Sequence, residues 1–379
     1  ILQLSPLPFC PPGAILATMM LHPLYGHKKD QERIRRAIQE DRLPQGLLLT
    51  GPAGVGKQRF GLWVAQALLC EGTERPCGAC LPCRQVLGLA HPDLHWIVPV
   101  ERPKATEAEK QVEELAEAQG QVLAERRKEP FYEPADGLSG HFMATARLIV
   151  RRAALTPAQG RKKVFLLALA ERLVPQEANP EAANALLKLL EEPPADSQFI
   201  LTTEDPNRLL ATIRSRLVPL RLGRLPNAEV ERCLATHKEW TGEVLRTRTL
   251  QAQGSIGRAV ATAGDGNQKA TRAAGELLQA VAGGTGPRME RALKQGTWAA
   301  RGDFTAMLDA LAEQLAGMAR GATGAGPAVG VDGMRQAPGV HALVTAQARV
   351  AEVRETAQGN VNPQLLLATL AEDLAEVLA

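Results

Sequence analysis

The chain has 379 residues and a formal net charge of +3, with 45% apolar and 22% charged residues. This length exceeds one ordinary domain, so we expect two or three. The composition is typical of a soluble globular protein, and the nearly balanced charge gives no global indication of nucleic-acid binding. Aromatic residues make up only 3%. Leu, Ala and Val must therefore fill the cores, which favours helices.

The first 20 residues are unlike the rest of the chain. They are Pro-rich and apolar and lack the basic start of a secretory signal. We expect Met19 or Met20 to be the biological start and residues 1–20 to be a non-structural extension. No run of about 18 apolar residues follows, so no transmembrane helix is predicted.

Helices and buried strands alternate over the next part of the chain. The strands are short apolar runs, and the helices carry apolar residues at intervals of three and four. Helices are predicted at 28–40, 58–69, 141–154 and 180–192, and strands at 46–50, 93–98, 163–169 and 197–203. This alternation predicts a parallel sheet covered by helices on both faces.

Other segments predict only helices and loops. Residues 101–129 hold eight acidic and six basic side chains, which indicates a solvated helical insertion rather than core. Residues 223–264 predict a small helical domain, and residues 265–379 a helical bundle that closes with helices near 340–357 and 362–378. The Gly-rich stretch 317–339 lacks apolar periodicity, and we expect a mobile loop there.

A phosphate-binding loop is indicated between the first strand and its helix, where the sequence reads Gly51-Pro-Ala-Gly-Val-Gly-Lys57. Gly51, Gly54 and Gly56 would let backbone N–H groups turn towards phosphates at a helix N-terminus. Lys57 would reach the β- and γ-phosphates. The alternative is a Gly-rich turn that binds nothing.

The residues that hold magnesium in P-loop ATPases are missing. Gln58 stands where Ser or Thr coordinates the ion, and the strand 163–169 carries Ala168 and Leu169 where an acidic pair is expected. Glu171 follows two or three residues too late and is expected to lie beyond the metal. Because phosphoryl transfer relies on a positioned metal, nucleotide could bind here, but hydrolysis is not expected.

Four cysteines fall within 14 residues and offer thiolates for one ion: Cys70, Cys77, Cys80 and Cys83. This set predicts a closed tetrahedral structural zinc site, in which Gly78 allows the tight turn. An iron–sulfur cluster and unligated cysteines are the alternatives. His91 and His95 lie close by, but the ligand set is already full. Cys10 and Cys233 stand alone and are expected to be inert apolar residues.

The densest basic stretch consists of Arg147, Arg151, Arg152, Arg161, Lys162 and Lys163. Arg147 and Arg151 share a helix face that could contact DNA phosphates. The alternative is a solvated face, and no interleaved aromatic residues indicate base stacking.

Taken together, these motifs resemble the delta-prime family of bacterial DNA polymerase III clamp-loader subunits, which are AAA+ proteins. The likeness rests on the phosphate loop, on the cysteine cluster, on EAANALLKLLEEPP at 181–194, and on FILTT at 199–203 followed by IRSRL at 213–217. It runs from about residue 21 to residue 222, with a plausible helical continuation. The combination is far more specific than the phosphate loop alone.

The resemblance implies an α/β P-loop AAA+ domain at 21–222, a helical lid at 223–264 and a helical collar at 265–379. Ser215-Arg216-Leu217 matches the triplet Ser-Arg-Cys, which supplies an arginine finger to the ATP of a neighbouring subunit. The alternative for Arg216 is a surface arginine at a strand edge. Thr202 or Thr203 matches the sensor position of active relatives, and we expect a structural role for it here.

The function implied is that of a non-hydrolysing subunit of the replicative clamp loader, within the DNA polymerase III holoenzyme of the bacterial cytoplasm and nucleoid. Its implied partners are the gamma/tau and delta subunits, the sliding clamp and primer-template DNA. Its implied cofactor is structural Zn²⁺, and nucleotide binding stays open. The alternatives are a gamma/tau-like motor ATPase, an independent P-loop ATPase, and a zinc-dependent DNA-binding module.

Overall fold

The computed structural model describes residues 21–129, 131, 139–173, 181–238, 240–261, 265–296, 300–324, 338–357 and 361–378. The expectations for residues 1–20, including the start residue and Cys10, lie outside these ranges. The chain forms two compact units that divide between Ala259 and Val260. Within the described ranges, no helix has the length and apolar character needed to cross a membrane.

The first unit alternates strands with helices, as the sequence predicts. Its strands are β1 Gly46–Thr50, β2 Leu94–Ile97, β3 Val100–Glu101, β4 Ser139–Gly140, β5 Lys163–Leu167, β6 Ser197–Thr203 and β7 Val218–Arg221. Its helices are α1 Lys28–Gln39, α2 Lys57–Leu69, α3 Leu81–Leu87, α4 Ala108–Lys128, α5 Met143–Ala153, α6 Glu181–Glu191, α7 Ala211–Arg214, α8 Asn227–His237 and α9 Gly242–Ala252, with α10 Ile256–Ala261 at the division.

The main sheet has five strands in the order β2-β5-β6-β1-β7, and all its pairings are parallel. Strands β5 and β6 are buried along their whole length, which explains why they read as continuous apolar runs. Strand β7 is not among the predicted strands. It is an edge strand of four residues that contains Pro219, and only an edge position tolerates proline. The expected parallel sheet is confirmed.

Helix α4 differs from the expectation of a solvated insertion. Val112 and Leu115 are buried and belong to the core of the first unit. Oε1 of Gln119 accepts a hydrogen bond from the backbone N–H of Val98 at 3.0 Å. Nε2 of Gln119 donates to the carbonyl oxygen of Val98 at 2.5 Å. The expectation was wrong for this face, because the many charges lie on the remaining faces of an amphipathic helix.

The second unit is helical and is built from α11 Asp265–Ala282, α12 Thr285–Leu293, α13 Thr305–Ala322, α14 Val340–Thr356 and α15 Pro363–Leu378. The last two helices match the prediction. Helix α13 extends into the stretch that was expected to be a loop, and Met318 in it is buried in the core of this unit. The loop expectation was therefore wrong for residues 317–322, and residues 325–337 lie outside the described part of the chain.

Lys163, the first residue of β5, is buried rather than part of a basic surface. Its ammonium donates to the carbonyl oxygens of Ala153, at 2.7 Å, and Leu155, which both lie at the end of α5. It also lies 3.3 Å from a carboxylate oxygen of Asp196. This lysine therefore joins the end of α5 to the beginning of the central strand.

Lys163→Met should lower the stability of the first unit, because it leaves two carbonyl groups and a carboxylate without their partner. We expect a loss of about 2 kcal/mol in the free energy of unfolding. Thermal unfolding followed by circular dichroism measures it. Lys162→Met, one residue earlier and only partly buried, is the control and should change the melting temperature little. Equal melting temperatures for the two variants would contradict the role given to Lys163.

Candidate functional site

The predicted phosphate loop lies between the carboxyl end of β1 and the start of α2. Gly56 precedes the first helical residue with a φ of 95°, a left-handed conformation that glycine adopts without strain. Strands β5 and β6 end at the same edge of the sheet as β1, because all three are parallel. Side chains that follow these strands can therefore approach the loop.

The ammonium group of Lys57 lies inside the loop and is surrounded by acceptors. It donates to the carbonyl oxygens of Gly51, at 2.9 Å, and Pro52, at 2.7 Å. Its third neighbour is a carboxylate oxygen of Glu204 at 3.5 Å. The lysine is only 5% exposed. Burial lowers the pKa of Lys57, and the carboxylates of Glu204 and Glu171 oppose this effect.

Glu204 and Glu171 form a carboxylate pair beside this lysine. Glu204 directly follows β6, and Glu171 lies in the short turn Ala170–Leu173 after β5. The backbone N–H of Glu204 donates to a carboxylate oxygen of Glu171 at 3.4 Å. Burial raises the pKa of Glu171, and the charge of Glu204 adds to that rise.

Glu204 is not among the site residues that the sequence predicts. It is the first residue after a buried strand that ends beside the loop, and this position could have identified it. Glu171 lies in the turn Ala170–Leu173 after β5, and its expected place beyond the metal stays a prediction. The sequence does not predict the effect of Glu171 on the pKa of Lys57, because this effect depends on how the ends of β5 and β6 pack beside the loop.

The positions of the missing magnesium ligands are occupied by residues with structural partners. Gln58 accepts a hydrogen bond from Arg126 of α4 at 3.2 Å. The carbonyl oxygen of Ala168 lies 2.7 Å from Nε2 of His141, and the N–H of Leu169 donates to the hydroxyl of Thr202 at 3.1 Å. Thr202 therefore joins the end of β6 to the residues after β5, and the structural role expected for Thr202 or Thr203 stays a prediction.

The helical segment after β7 packs directly on the phosphate loop. The N–H of Gly257 donates to the carbonyl oxygen of Gly54 at 3.0 Å. The hydroxyl of Ser255 donates to the carbonyl oxygen of Ala53 at 2.9 Å. A Cβ atom on Gly257 would lie 2.7 Å from the Cα of Gly54. This approach requires glycine at both positions.

The four clustered cysteines form a second candidate site. Their Sγ atoms all lie within 4.8 Å of one another, and two pairs, Cys77 with Cys83 and Cys70 with Cys80, are 3.9 Å apart. Zinc–sulfur bonds of about 2.3 Å in a tetrahedron give sulfur–sulfur distances of roughly 3.8 Å. The cluster could therefore hold a metal ion.

Backbone N–H groups point at these sulfur atoms, as thiolate ligands require. Sγ of Cys70 accepts from the N–H groups of Gly72 and Cys77, both at 3.3 Å. N–H groups of Cys80 and Ala79 lower the pKa of Cys77 to about 6. Burial instead raises the pKa of Cys70 and of Cys83, and a bound cation would favour the thiolate forms of these two.

The cysteine cluster is tied to the phosphate loop through α2. Cys70 directly follows this helix, and Cys83 lies in α3. Gly78 has a φ of 74°, which confirms the predicted tight turn. The side chain of Gln66 in α2 donates to the carbonyl oxygen of Cys83 at 3.5 Å.

Two nearby histidines and the remaining described cysteine have other surroundings. Nδ1 of His91 accepts from the N–H of Asp93 at 3.1 Å. His95 contacts Phe165, and burial lowers its pKa to about 4. Cys233 is buried in α8, which agrees with its expected role as an apolar residue.

Arg216 lies in the turn between α7 and β7 and is 29% exposed. Its guanidinium donates to the carbonyl oxygen of Thr212 and forms an ion pair with Glu191 at the end of α6. The arginine is thus oriented by two elements of the first unit. In the basic stretch, Arg147 is exposed, whereas Arg151 pairs with Glu109. This pair favours a solvated face at Arg151.

A parallel sheet with a glycine-rich loop after β1, and a helical segment that packs on this loop, is the arrangement expected of the P-loop AAA+ fold. Comparison with known proteins identifies the family. A family model described as "DNA polymerase III, delta subunit" matches residues 26–226. The chain belongs to this family, and the resemblance inferred from its motifs is confirmed.

Three relatives illustrate the similarity. DNA polymerase III subunit delta′ of Bacillus subtilis is 32% identical over 196 residues, which cover 52% of this chain and 47% of that protein. The delta′ subunit of Pseudomonas aeruginosa is 32% identical over 207 residues, 54% of this chain and 49% of that protein. DNA polymerase III subunit tau of Salmonella typhimurium is 28% identical over 250 residues, 62% of this chain and 32% of that protein. The chain thus spans about half the length of the delta′ relatives.

Gly257→Ala should push helix α10 away from the loop, because the added methyl group would overlap the backbone of Gly54. We expect a loss of about 1–3 kcal/mol, measured by differential scanning calorimetry. Gly120→Ala in α4 is the matched control, since a Cβ atom there meets nothing within 4 Å. The control should be neutral or more stable by up to ~1 kcal/mol. A Gly257→Ala variant as stable as the control would show that the contact is not tight.

Proposed function

We propose that this chain is a non-hydrolysing subunit of the bacterial clamp loader, which helps to load the sliding clamp onto primed DNA. The observation that carries the proposal is the P-loop fold in which Ala168 and Leu169 occupy the places of the acidic pair and Gln58 is bonded to Arg126. Such a loop lacks the ligands that position magnesium for phosphoryl transfer. Family membership supports the same role.

Arg216 is the residue through which the chain would act on a neighbouring subunit. Its guanidinium is oriented by Thr212 and Glu191 and is partly exposed. A pre-oriented arginine can stabilise the charge that develops on a phosphoryl group in the transition state. We propose that Arg216 donates to ATP bound by an adjacent gamma/tau subunit, and that this chain catalyses no hydrolysis itself.

The proposed partners follow from this role. They are the gamma/tau and delta subunits, the sliding clamp and, through the assembled complex, primer-template DNA. Of the three relatives described above, two are named as delta′ subunits and one as a tau subunit. The proposed location is therefore the bacterial cytoplasm, at sites of replication.

The four-cysteine cluster is proposed to bind one structural Zn²⁺. Four thiolates around one point suit zinc, and a closed ligand shell leaves no position for catalysis. When bound, the ion would link the end of α2 to α3 and so support the helix that follows the phosphate loop. We thus propose that this site stabilises the fold around α2 and α3 and has no catalytic role.

For the finger, Arg216→Ala should leave co-purification with the gamma/tau and delta subunits intact. It should slow the neighbouring ATPase site by roughly 10³-fold, because one transition-state donor is lost. The measurement is DNA-stimulated ATP hydrolysis by the reconstituted loader. Arg214→Ala is the matched control, since that exposed arginine contacts Pro206 and Asn207 of its own chain.

Two results would count against this assignment. Unchanged ATPase activity of the loader with Arg216→Ala would remove the finger role. Robust metal-dependent ATP hydrolysis by the isolated wild-type chain would instead favour the gamma/tau-like motor or an independent ATPase.

For the metal, the purified chain should contain about one zinc ion and little iron by elemental analysis. Cys80→Ser should lose most of the zinc and lower the melting temperature, because the closed ligand set is broken. Cys233→Ala, which changes a buried cysteine outside the cluster, should keep the zinc. Iron in place of zinc, or zinc that is retained by Cys80→Ser, would contradict the assignment.

A further inference from the structure

The proposed function leaves open whether the phosphate loop still binds nucleotide, and the surroundings of Lys57 bear on this question. A lysine ammonium has three N–H donors. Two of them have carbonyl acceptors, those of Gly51 and Pro52, and the carboxylate of Glu204 lies 3.5 Å from the ammonium as an ion-pair partner. The group that would bind a phosphate therefore already has an anionic partner within the chain.

We infer that Glu204 is the residue that excludes nucleotide from this loop, because its carboxylate takes the place on Lys57 that a terminal phosphate would take. This inference goes beyond the proposed clamp-loader role and does not depend on Arg216. Carboxylate and phosphate are both anions that bind an ammonium through oxygen. A phosphate could reach Lys57 only by displacing a group of its own charge.

The position of Glu204 is held by more than its contact with Lys57. Its own N–H group donates to the carboxylate of Glu171 at 3.4 Å. Glu171 is 7% exposed and the Glu204 side chain 41% exposed, so this contact is partly buried. The residue is therefore anchored beside the loop through its backbone, and a second acidic group stands behind it. An incoming polyphosphate would meet both carboxylates, which adds repulsion to the loss of its lysine.

The rest of the loop keeps features that suit a phosphate. A Cβ atom on Gly56 would meet nothing within 4 Å, so the backbone faces open space there. Helix α2 starts at the next residue, and helix N-termini favour anions. Removal of the single carboxylate of Glu204 should therefore be enough to let nucleotide bind. Binding should not require magnesium, because Gln58, Ala168 and Leu169 offer the ion no ligands.

The test is equilibrium binding of a fluorescent, non-hydrolysable ATP analogue to the full chain in the presence of EDTA, followed by fluorescence anisotropy. Wild-type protein and the variants Glu204→Gln, Glu204→Thr and Glu192→Gln are compared. Glu192 is an exposed acidic residue outside the loop, so Glu192→Gln makes the same change in net charge elsewhere. Two variants at position 204 guard against a folding defect in one of them.

We expect both Glu204 variants to bind the analogue at least about tenfold more tightly than wild type, a difference of about 1.4 kcal/mol. A double variant that combines Lys57→Met with Glu204→Thr should lose this gain in affinity for the analogue. Glu192→Gln should match wild type. The inference is overturned if wild type binds as tightly as the Glu204 variants, or if neither Glu204 variant binds. Neither outcome bears on the loader ATPase test of Arg216, so the two ideas fail separately.

Discussion

The buried ammonium group of Lys57 is the constraint around which the phosphate loop is arranged. A charge with 5% exposure has little water to solvate it, so it must find acceptors within the protein. Two loop carbonyl groups and Glu204 supply them. In a P-loop enzyme a nucleotide supplies the negative charge. Here a carboxylate of the chain itself, that of Glu204, lies 3.5 Å from the ammonium.

This arrangement connects the loop to the surrounding elements. The carbonyl oxygens of Ala53 and Gly54 accept hydrogen bonds from Ser255 and Gly257, at the start of α10. Helix α2 leads from the loop to the cysteine cluster, where Cys70 begins the set of four thiols. The loop thus joins three parts of the first unit. We interpret it as a structural junction that keeps the architecture of a nucleotide site.

Much of the first unit could be predicted from local patterns. Continuous apolar runs identified β1, β5 and β6, because strands buried on both faces leave no polar alternation. The spacing of the four cysteines identified a set whose Sγ atoms lie close enough together to hold a metal ion. The face of α4 that carries Val112 and Leu115 could not be recognised from charge counts, since a few apolar positions decide burial. Strand β7 is a short edge strand and lacks a strong apolar pattern.

By itself, the sequence determined the parallel sheet and the set of four cysteines, and it predicted a phosphate loop that lacks magnesium ligands at Gln58 and Ala168. Each depends on residues close together in the chain or on periodicity within one element. Only the tertiary structure placed Glu204 on Lys57 and Glu191 on Arg216, and brought Gly257 against the loop. These contacts join residues that are far apart in sequence, and they depend on the order of strands and on how their ends pack. A single sequence shows which residues are present, but it does not show which of the distant ones contact each other.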